Sequence, residues 1–173
     1  MSFPALPVGT DLTTERLVLR PWSADDIAAV LADVRSPHWA ADFPAEGDRV
    51  IAGVIADSCD DPTASGHRLI IERETGLVIG SIGLMWPPTE GDLEFGYGVV
   101  ASRRGRGYAT EATRALVAYA LTLPPVHTVY AEVESTNPAS VRVLEKAGLR
   151  RRNGDSAGTR FDTAGMDPGP DRA

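Results

Sequence analysis

A glycine-containing turn between a strand pattern and a helix pattern is the feature that most constrains this chain. Residues 93–100 have strand character, and from Tyr108 to Leu123 small and apolar residues recur at helical spacing. The turn contains Gly105 and Gly107, which let the backbone pass close to a bulky anion, and the free N–H groups of the following helix favour negative charge. The turn therefore predicts a pyrophosphate-binding loop. An ordinary turn with solvated arginines fits the same residues about equally well.

Two common phosphate-binding motifs do not match this turn. A P-loop requires Lys-Ser/Thr after its last glycine, whereas Tyr108 and Ala109 follow Gly107. A dinucleotide fingerprint requires glycine or alanine at the position of Thr110. We therefore do not expect ATP or NAD bound in those modes.

The remaining patterns predict a mixed α/β or α+β domain, because strands and helices are interspersed along the chain. The predicted strands are 15–22, 67–72, 77–86, 93–100 and 126–134, and the predicted helices are 23–34, 48–58, 108–123 and one that begins at Asn137-Pro138 and ends before Gly148. Residues 153–173 are rich in Gly, Pro and Asp. We expect one domain over residues 1–152 and a flexible tail over 153–173, with at most a short strand at Thr159–Thr163.

Charge and hydropathy exclude some partners. A net charge of -7 argues against nucleic acid as the main partner. The sequence has no apolar run near the roughly 18 residues of a membrane span, and its start does not resemble a signal peptide. The single cysteine, Cys59, fits a reducing compartment. We expect a cytoplasmic protein, monomeric or homodimeric, that binds neither membrane nor nucleic acid.

Two motifs in the second half of the chain carry a family resemblance. Asn137-Pro138-Ala139-Ser140 followed by Leu144-Glu145-Lys146-Ala147-Gly148-Leu149 resembles the last conserved helix of GNAT N-acetyltransferases. The run from Arg103 to Ala112 resembles their acetyl-CoA pyrophosphate loop, and Thr14–Arg20 is similar to the branch containing the ribosomal-protein alanine and serine N-acetyltransferases. The resemblance covers Thr13 to Arg150. It implies a central, mostly antiparallel, splayed sheet flanked by helices.

The resemblance also assigns site residues, with acetyl-CoA as the co-substrate and no metal. Val99 and Val100 match the splayed strand whose backbone pairs with the pantetheine arm. Asn137 matches a side chain that touches the pantetheine or the substrate, and Ser140 matches the hydroxyl nearest the sulfur. Arg142 and Lys146 either approach the outer phosphates or form a solvated helix face. The pyrophosphate would be held by the backbone of Arg104, Gly105, Arg106, Gly107, Tyr108, Ala109 and Thr110.

The catalytic residues predicted from this comparison are Glu94, Ser140 and Asn137. Glu94 is the candidate general base because burial beside apolar neighbours would raise its pKa, although a solvated carboxylate at the sheet edge is as plausible. The backbone N–H near Val99 would bind the oxyanion. No tyrosine lies between Asn137 and Gly148, so Ser140 would orient the thiolate in place of the tyrosine acid of many relatives. The C-terminal hairpin that usually completes the family's sheet is barely visible after Arg152.

The predicted reaction is acetyl transfer to a primary amine by direct attack. A protein N-terminal α-amino group is favoured as acceptor because it titrates at about 7.7–8.0, against about 10.4 for lysine. A small-molecule amine such as a polyamine, amino acid or antibiotic is an alternative acceptor. A further alternative is a catalytically weak acyl-CoA sensor. His38, Trp39 and Phe43 either line the acceptor cleft or pack in the interior.

Overall fold

The computed structural model describes residues 6–7, 9–134, 136–152 and 158–166. In this part of the chain, eight strands and four α-helices alternate in an α+β arrangement. In chain order they are β1 (Leu12–Thr13), β2 (Leu17–Pro21), α1 (Ala24–Leu31), α2 (Glu46–Ser58), β3 (His67–Glu72), β4 (Val78–Leu84), β5 (Asp92–Val99), α3 (Tyr108–Ala120), β6 (Thr128–Val133), α4 (Pro138–Lys146), β7 (Arg150–Arg152) and β8 (Thr159–Asp162).

The strands form one sheet in the order β1-β2-β3-β4-β5-β6-β8-β7. Every neighbouring pair is antiparallel except β5 and β6, which are parallel. The parallel pair needs a crossover connection, and α3 supplies it. The expected mostly antiparallel sheet flanked by helices is confirmed.

Each helix begins where a side chain or a glycine satisfies the local backbone requirements. The Ser23 side chain accepts a hydrogen bond from the Asp26 N–H at the start of α1, and the Asn137 side chain accepts one from the Ser140 N–H at the start of α4. Gly107 precedes α3 with a φ of 81°, a left-handed conformation that favours glycine.

The helices cover opposite faces of the sheet. Ser81 of β4 faces α2, since its hydroxyl donates to the Asp48 carboxylate. The register partner of Ser81 on β5 is Gly98. The adjacent residue, Tyr97, directs its hydroxyl toward Ser140 of α4. Because successive side chains alternate between the faces of a strand, α2 and α4 lie on opposite sides. The largest fully buried side chains are Trp22, Phe43, Phe95, Phe161, Leu17, Leu19, Ile55, Leu69, Ile70, Ile79, Ile82 and Leu84.

The C-terminal segment corrects one prediction. The short strand expected at Thr159–Thr163 is present as β8, but it lies inside the sheet between β6 and β7, and Phe161 is fully buried. Residues 158–166 are therefore part of the domain, and the flexible tail predicted from residue 153 is wrong for them. The hairpin that the sequence barely indicates is formed by β7 and β8. Residues 153–157 and 167–173 lie outside the described residues.

Other differences from the predicted elements concern their ends. Helix α1 stops at Leu31 and α3 at Ala120, each three residues before the predicted end, and α2 starts at Glu46. Strands β1 and β7 were not predicted because each spans three residues or fewer, too few to show alternation. None of the described helices is long and apolar enough to cross a membrane.

Candidate active site

Strands β5 and β6 are paired at one end only, which opens a gap in the sheet. The ladder joins Asp92–Glu94 to Thr128–Tyr130, but β5 continues to Val99 and β6 to Val133 without further pairing to each other. Beyond Glu94, the edge of β5 that faces β6 therefore carries backbone groups with no partner strand. This matches the expected splay and leaves room for an extended ligand.

The register of β5 identifies which backbone groups face the gap. The Met85 N–H donates to the Glu94 carbonyl at 2.8 Å and the Val100 N–H donates to the Ile79 carbonyl at 2.8 Å, so even-numbered positions bond toward β4. The N–H and C=O groups of Tyr97 and Val99 consequently point into the gap.

Only one of the two valines assigned to the pantetheine arm has backbone groups available there. The Val99 carbonyl accepts a hydrogen bond from the Arg104 Nε at 3.0 Å, and its N–H faces the gap. At Val100 the N–H is bonded to Ile79, and the carbonyl accepts a bond from the Arg103 N–H at 3.0 Å. Both backbone groups of Val100 thus have partners within the protein, because the strand bends into a 3₁₀ turn at Ala101–Arg103, and its role toward the pantetheine arm stays a prediction.

The predicted pyrophosphate loop presents a run of unpaired N–H groups. From Gly105 to Thr110, no backbone N–H has an acceptor among the described residues. Gly105 and Gly107 have φ values of 75° and 81°, and a Cβ at Gly105 would meet no atom within 4 Å. Consecutive free N–H groups at a helix start form an anion site, so the residues present fit a pyrophosphate.

Three groups of contacts hold this loop and the 3₁₀ turn before it in place. The Asp42 carboxylate accepts from the Ser102 N–H at 2.8 Å and from its hydroxyl at 2.7 Å. The Arg103 Nε pairs with the nearly buried Glu72 carboxylate at 3.2 Å.

The third group of contacts comes from Arg16 on the segment before β2. Its Nη1 donates to the Arg106 carbonyl at 2.9 Å, and its Nε pairs with Glu111 at 2.8 Å. The guanidinium also lies 4.5 Å from the Tyr108 ring centroid. The Arg103 and Arg16 side chains thus both anchor the loop.

Besides the gap between β5 and β6, an open groove of about 740 Å³ lies next to the start of α3. Arg16, Arg114 and Lys146 contribute positive side chains to its lining, and Glu15 and Glu111 contribute negative ones. The Arg114 guanidinium donates to the Lys146 carbonyl at 2.6 Å. Of the two helix cations considered from sequence, Lys146 lies in this groove, next to the pyrophosphate loop.

A cleft of about 470 Å³ lies between α2 and the sheet, on the face opposite α4. Most of its lining is apolar or glycine, and its mouth includes Arg104. It is lined by Ala45, Gly47, Asp48, Val50, Ile51, His67, Ser81, Ile82, Gly83, Met85, Gly96, Tyr97, Gly98, Val99 and Arg104. Val99 borders both the gap between β5 and β6 and this cleft. The two spaces therefore meet at Val99, where a ligand in the gap and a ligand in the cleft would lie side by side. Sequence reasoning missed the cleft, since α2 and β4 carry no motif that links them.

Three titratable groups lie in or beside the cleft. Burial raises the pKa of Asp48, against the hydrogen bonds from Ser81 and the Ala45 N–H. Burial lowers the pKa of His67 to about 4, so its imidazole is neutral at pH 7. Burial raises the pKa of Glu94 and the charge of Glu132 adds to this, whereas a hydrogen bond from Tyr130 lowers it.

The predicted catalytic residues occupy different positions around the gap. Glu94 is half-buried and lies on the same strand face as Gly96 and Gly98, but outside the cleft lining. The Asn137 side chain caps α4, where its oxygen accepts from the Ser140 N–H at 3.2 Å. Ser140 is half-buried, and the Tyr97 hydroxyl lies 3.5 Å from its carbonyl oxygen.

Tyr97 is the residue that the sequence comparison overlooked. It comes from β5, whereas the comparison considered a tyrosine only on the last helix. Burial raises its pKa. Alternation along β5 places its side chain on the α4 side, so a phenol stands beside the gap in a chain whose α4 has none.

Of the three aromatic residues in the loop before α2, two are buried and one is exposed. Trp39 and Phe43 are buried and pack edge to face, with ring centroids 5.4 Å apart. His38 is exposed. None of the three lines the cleft.

Comparison with known proteins supplies the family. The model of the acetyltransferase (GNAT) domain matches residues 16–150. The chain belongs to the GNAT acetyltransferase family. It is 30% identical over 156 residues to the uncharacterized N-acetyltransferase p20 of Bacillus licheniformis, a match that spans 81% of this chain and 85% of p20.

Solved structures of other GNAT proteins share the fold. A protein described as a ribosomal-protein-serine acetyltransferase of Vibrio cholerae has a TM-score of 0.64 at 17% identity, covering 91% of this chain and 98% of that one. AAC(6')-Ib in complex with paromomycin and acetyl-CoA has a TM-score of 0.58 at 20% identity, covering 86% and 93%. At these identities the likeness concerns the fold.

Family membership establishes the reaction class. The protein is an acyl-CoA-dependent N-acetyltransferase that takes acetyl-CoA as co-substrate and transfers its acetyl group to an amine. The anion cradle at Gly105–Thr110 and the free edge of β5 at Val99 suit the two ends of that co-substrate.

Proposed function

We propose that the protein acetylates the α-amino group at the N-terminus of a peptide or protein. The observation that carries this proposal is the cleft between α2 and β5, which meets the gap at Val99 and contains or adjoins two carboxylates. An amine entering this cleft approaches the end of the co-substrate from the face opposite α4. The Vibrio cholerae protein described as a ribosomal-protein-serine acetyltransferase lends support as a structural neighbour.

Acetyl-CoA supplies a thioester carbon that accepts the amine lone pair, so that a C–N bond forms, the C–S bond breaks and the thiolate takes a proton. The protein must therefore provide a neutral amine, a donor for the carbonyl oxygen and a proton source for sulfur. In our proposal the Val99 N–H is the oxyanion donor, because it faces the gap without a partner strand.

Glu94 is the proposed general base. Its raised pKa brings its basicity closer to that of an α-amine, which titrates at about 7.7–8.0. Gly98 lies four positions further along β5, or roughly 13 Å at about 3.3 Å per residue. At that distance Glu94 would act through water and not by direct contact. The Met85 side chain borders this path, because a Cβ at Gly96 would lie 3.2 Å from its Cε.

Tyr97 is the proposed proton donor for the departing sulfur. Its hydroxyl stands between β5 and the start of α4, beside Ser140. A phenol is a better acid than a serine hydroxyl. Ser140 and Asn137 then serve to position this end of α4, since the Asn137 side chain is bonded to the Ser140 N–H.

A small-molecule amine is the second candidate acceptor. The cleft volume of about 470 Å³ falls within the roughly 300–1,000 Å³ of small-molecule sites. AAC(6')-Ib, solved with the aminoglycoside paromomycin, has a related fold.

Thiol release from acetyl-CoA with a panel of acceptors tests the proposal. Each peptide is paired with the same peptide carrying a blocked N-terminus, and polyamines and aminoglycosides complete the panel. We expect release only with free α-amines. Release with blocked, lysine-containing peptides or with small amines alone would refute the N-terminal assignment, and no release with any amine would favour an acyl-CoA sensor.

Glu94→Gln tests the assignment of the base, and Glu74→Gln, which removes an exposed carboxylate in the turn between β3 and β4, is the control. Since general-base assistance is worth about 10²–10⁴-fold, turnover of Glu94→Gln at pH 7 should fall by that range while acetyl-CoA affinity holds. The loss should be smaller at high pH, where the amine is already neutral. Normal turnover at pH 7 would make Glu94 a structural residue.

A further inference from the structure

The cleft has a polar floor formed by Asp48 and Ser81. Asp48 is only 4% exposed. One of its carboxylate oxygens accepts from the Ser81 hydroxyl, and the other accepts from the Ala45 N–H at 2.9 Å. Both residues line the cleft. The floor is therefore an oriented carboxylate at the bottom of a space lined mostly by apolar residues and glycine.

No cation among the described residues neutralises this carboxylate. Asp48 takes part in none of the ion pairs found there. The neighbouring His67 is neutral at pH 7. Arg104 lines the mouth, where its exposed side chain is bonded to the Val99 carbonyl. A buried carboxylate without a counter-charge favours a cationic ligand and disfavours an anionic one.

The floor is also close to the reacting end of the co-substrate site. Ser81 is the register partner of Gly98, and Gly98 precedes Val99, whose N–H faces the gap. A Cβ at Gly98 would meet no atom within 4 Å, so the space over this position is open. An amine that contacts Asp48 thus lies one strand away from the proposed oxyanion donor.

We propose that Asp48 and Ser81 form an ammonium-recognition subsite that admits amines with an uncharged neighbouring group and rejects amines with an adjacent carboxylate. This inference rests on the proposed function and narrows its acceptor class. A peptide α-amine has a neutral amide beside it and is accepted. A free amino acid, whose carboxylate would approach Asp48, is excluded.

Asp48 also has a structural role, because its bond to the Ala45 N–H stabilises the start of α2. Asp48→Asn separates the two roles. The asparagine oxygen can still accept from the Ala45 N–H, and its amide can donate to the Ser81 hydroxyl, so the variant removes the charge and preserves the bonds. A purely structural Asp48 would affect all ligands equally and leave their ratio unchanged.

The test compares leucinamide with leucine, which differ only in carboxamide against carboxylate. Their dissociation constants are measured by calorimetry on the full chain saturated with CoA, for wild type and Asp48→Asn. In wild type we expect leucinamide to bind at least about tenfold more tightly than leucine. In Asp48→Asn that preference should fall to about threefold or less, with CoA affinity unchanged.

Either of two results would overturn the subsite. The first is equal affinity of wild type for the two ligands, which needs no variant and holds even if Asp48→Asn does not fold. The second is an unchanged preference in a folded Asp48→Asn. Because binding is measured without turnover, this outcome is separate from the proposed function, which fails if thiol is released only with blocked peptides or small amines, or with no amine at all.

Discussion

His67 should make the stability of the protein depend on pH in a range where few other groups titrate. Its side chain is nearly buried between β3 and β4 and packs against Gly83, where a Cβ would clash with the imidazole ring. Burial lowers the pKa of His67 from 6.5 to about 4 in the folded protein. Between these values the unfolded chain binds a proton that the native protein does not.

The expected magnitude follows from that difference. Stability is full above pH 6.5 and falls as the pH drops toward 4, by about 1.4 kcal/mol per pH unit where the full proton difference applies. The total loss attributable to His67 is about 3 kcal/mol at pH 4. Asp48 and Glu94, whose pKa values are raised, act in the opposite direction, so the comparison must be made against a variant.

The assay is urea unfolding of wild type and His67→Gln at half-unit steps from pH 4.5 to 8. His67→Gln changes the packing at every pH, but its free energy of unfolding should be flatter, and the gap between the curves should change by roughly 2–3 kcal/mol across this range. His38→Gln is the control, because His38 is exposed, and it should follow wild type. Parallel curves for His67→Gln and wild type would refute the argument.

Three further changes test other parts of the structure. Gly107→Ala places a Cβ on a residue with a φ of 81° in the anion cradle. Acetyl-CoA affinity measured by calorimetry should fall about tenfold or more, and the free energy of unfolding should fall by about 1–2 kcal/mol. Unchanged affinity would show that this loop does not bind the co-substrate. Phe161→Ala empties a fully buried position in β8 and should cost about 3–5 kcal/mol in urea unfolding, whereas a change below about 1 kcal/mol would mean that β8 is dispensable. Tyr97→Phe should lower turnover with little change in acetyl-CoA affinity, and normal steady-state kinetics would rule out its hydroxyl as the proton donor.

The local elements of the site could be predicted because their signals are short in sequence. Gly105 and Gly107 precede an apolar helical stripe, and Asn137-Pro138 begins α4, so both turns were located from neighbouring residues alone. The strand β5 was likewise recognisable from residues 93–100. The family resemblance then implied a central, mostly antiparallel sheet flanked by helices, which the sheet topology confirms.

The C-terminal strand shows where local signals fail. Residues 159–162 read Thr-Arg-Phe-Asp, too few to offset the cost of ordering a chain by themselves. They form a strand because β6 and β7 offer backbone partners on both sides and because Phe161 enters the core. Only the assembled sheet provides those partners.

The sequence by itself determined the glycine-containing turn at Gly105 and Gly107, the helix that follows it and the α+β class, since these depend on backbone conformations and periodicities set within a few residues. Tertiary structure alone decided that Tyr97 reaches Ser140 and that Asp48 bonds to Ser81, the register partner of Gly98. It also decided that the Val100 N–H is bonded to Ile79 whereas the Val99 N–H faces the gap. These relations join residues from different elements through strand register and helix packing. A one-residue change of register would reverse each of them, because it moves every side chain of a strand to the other face of the sheet.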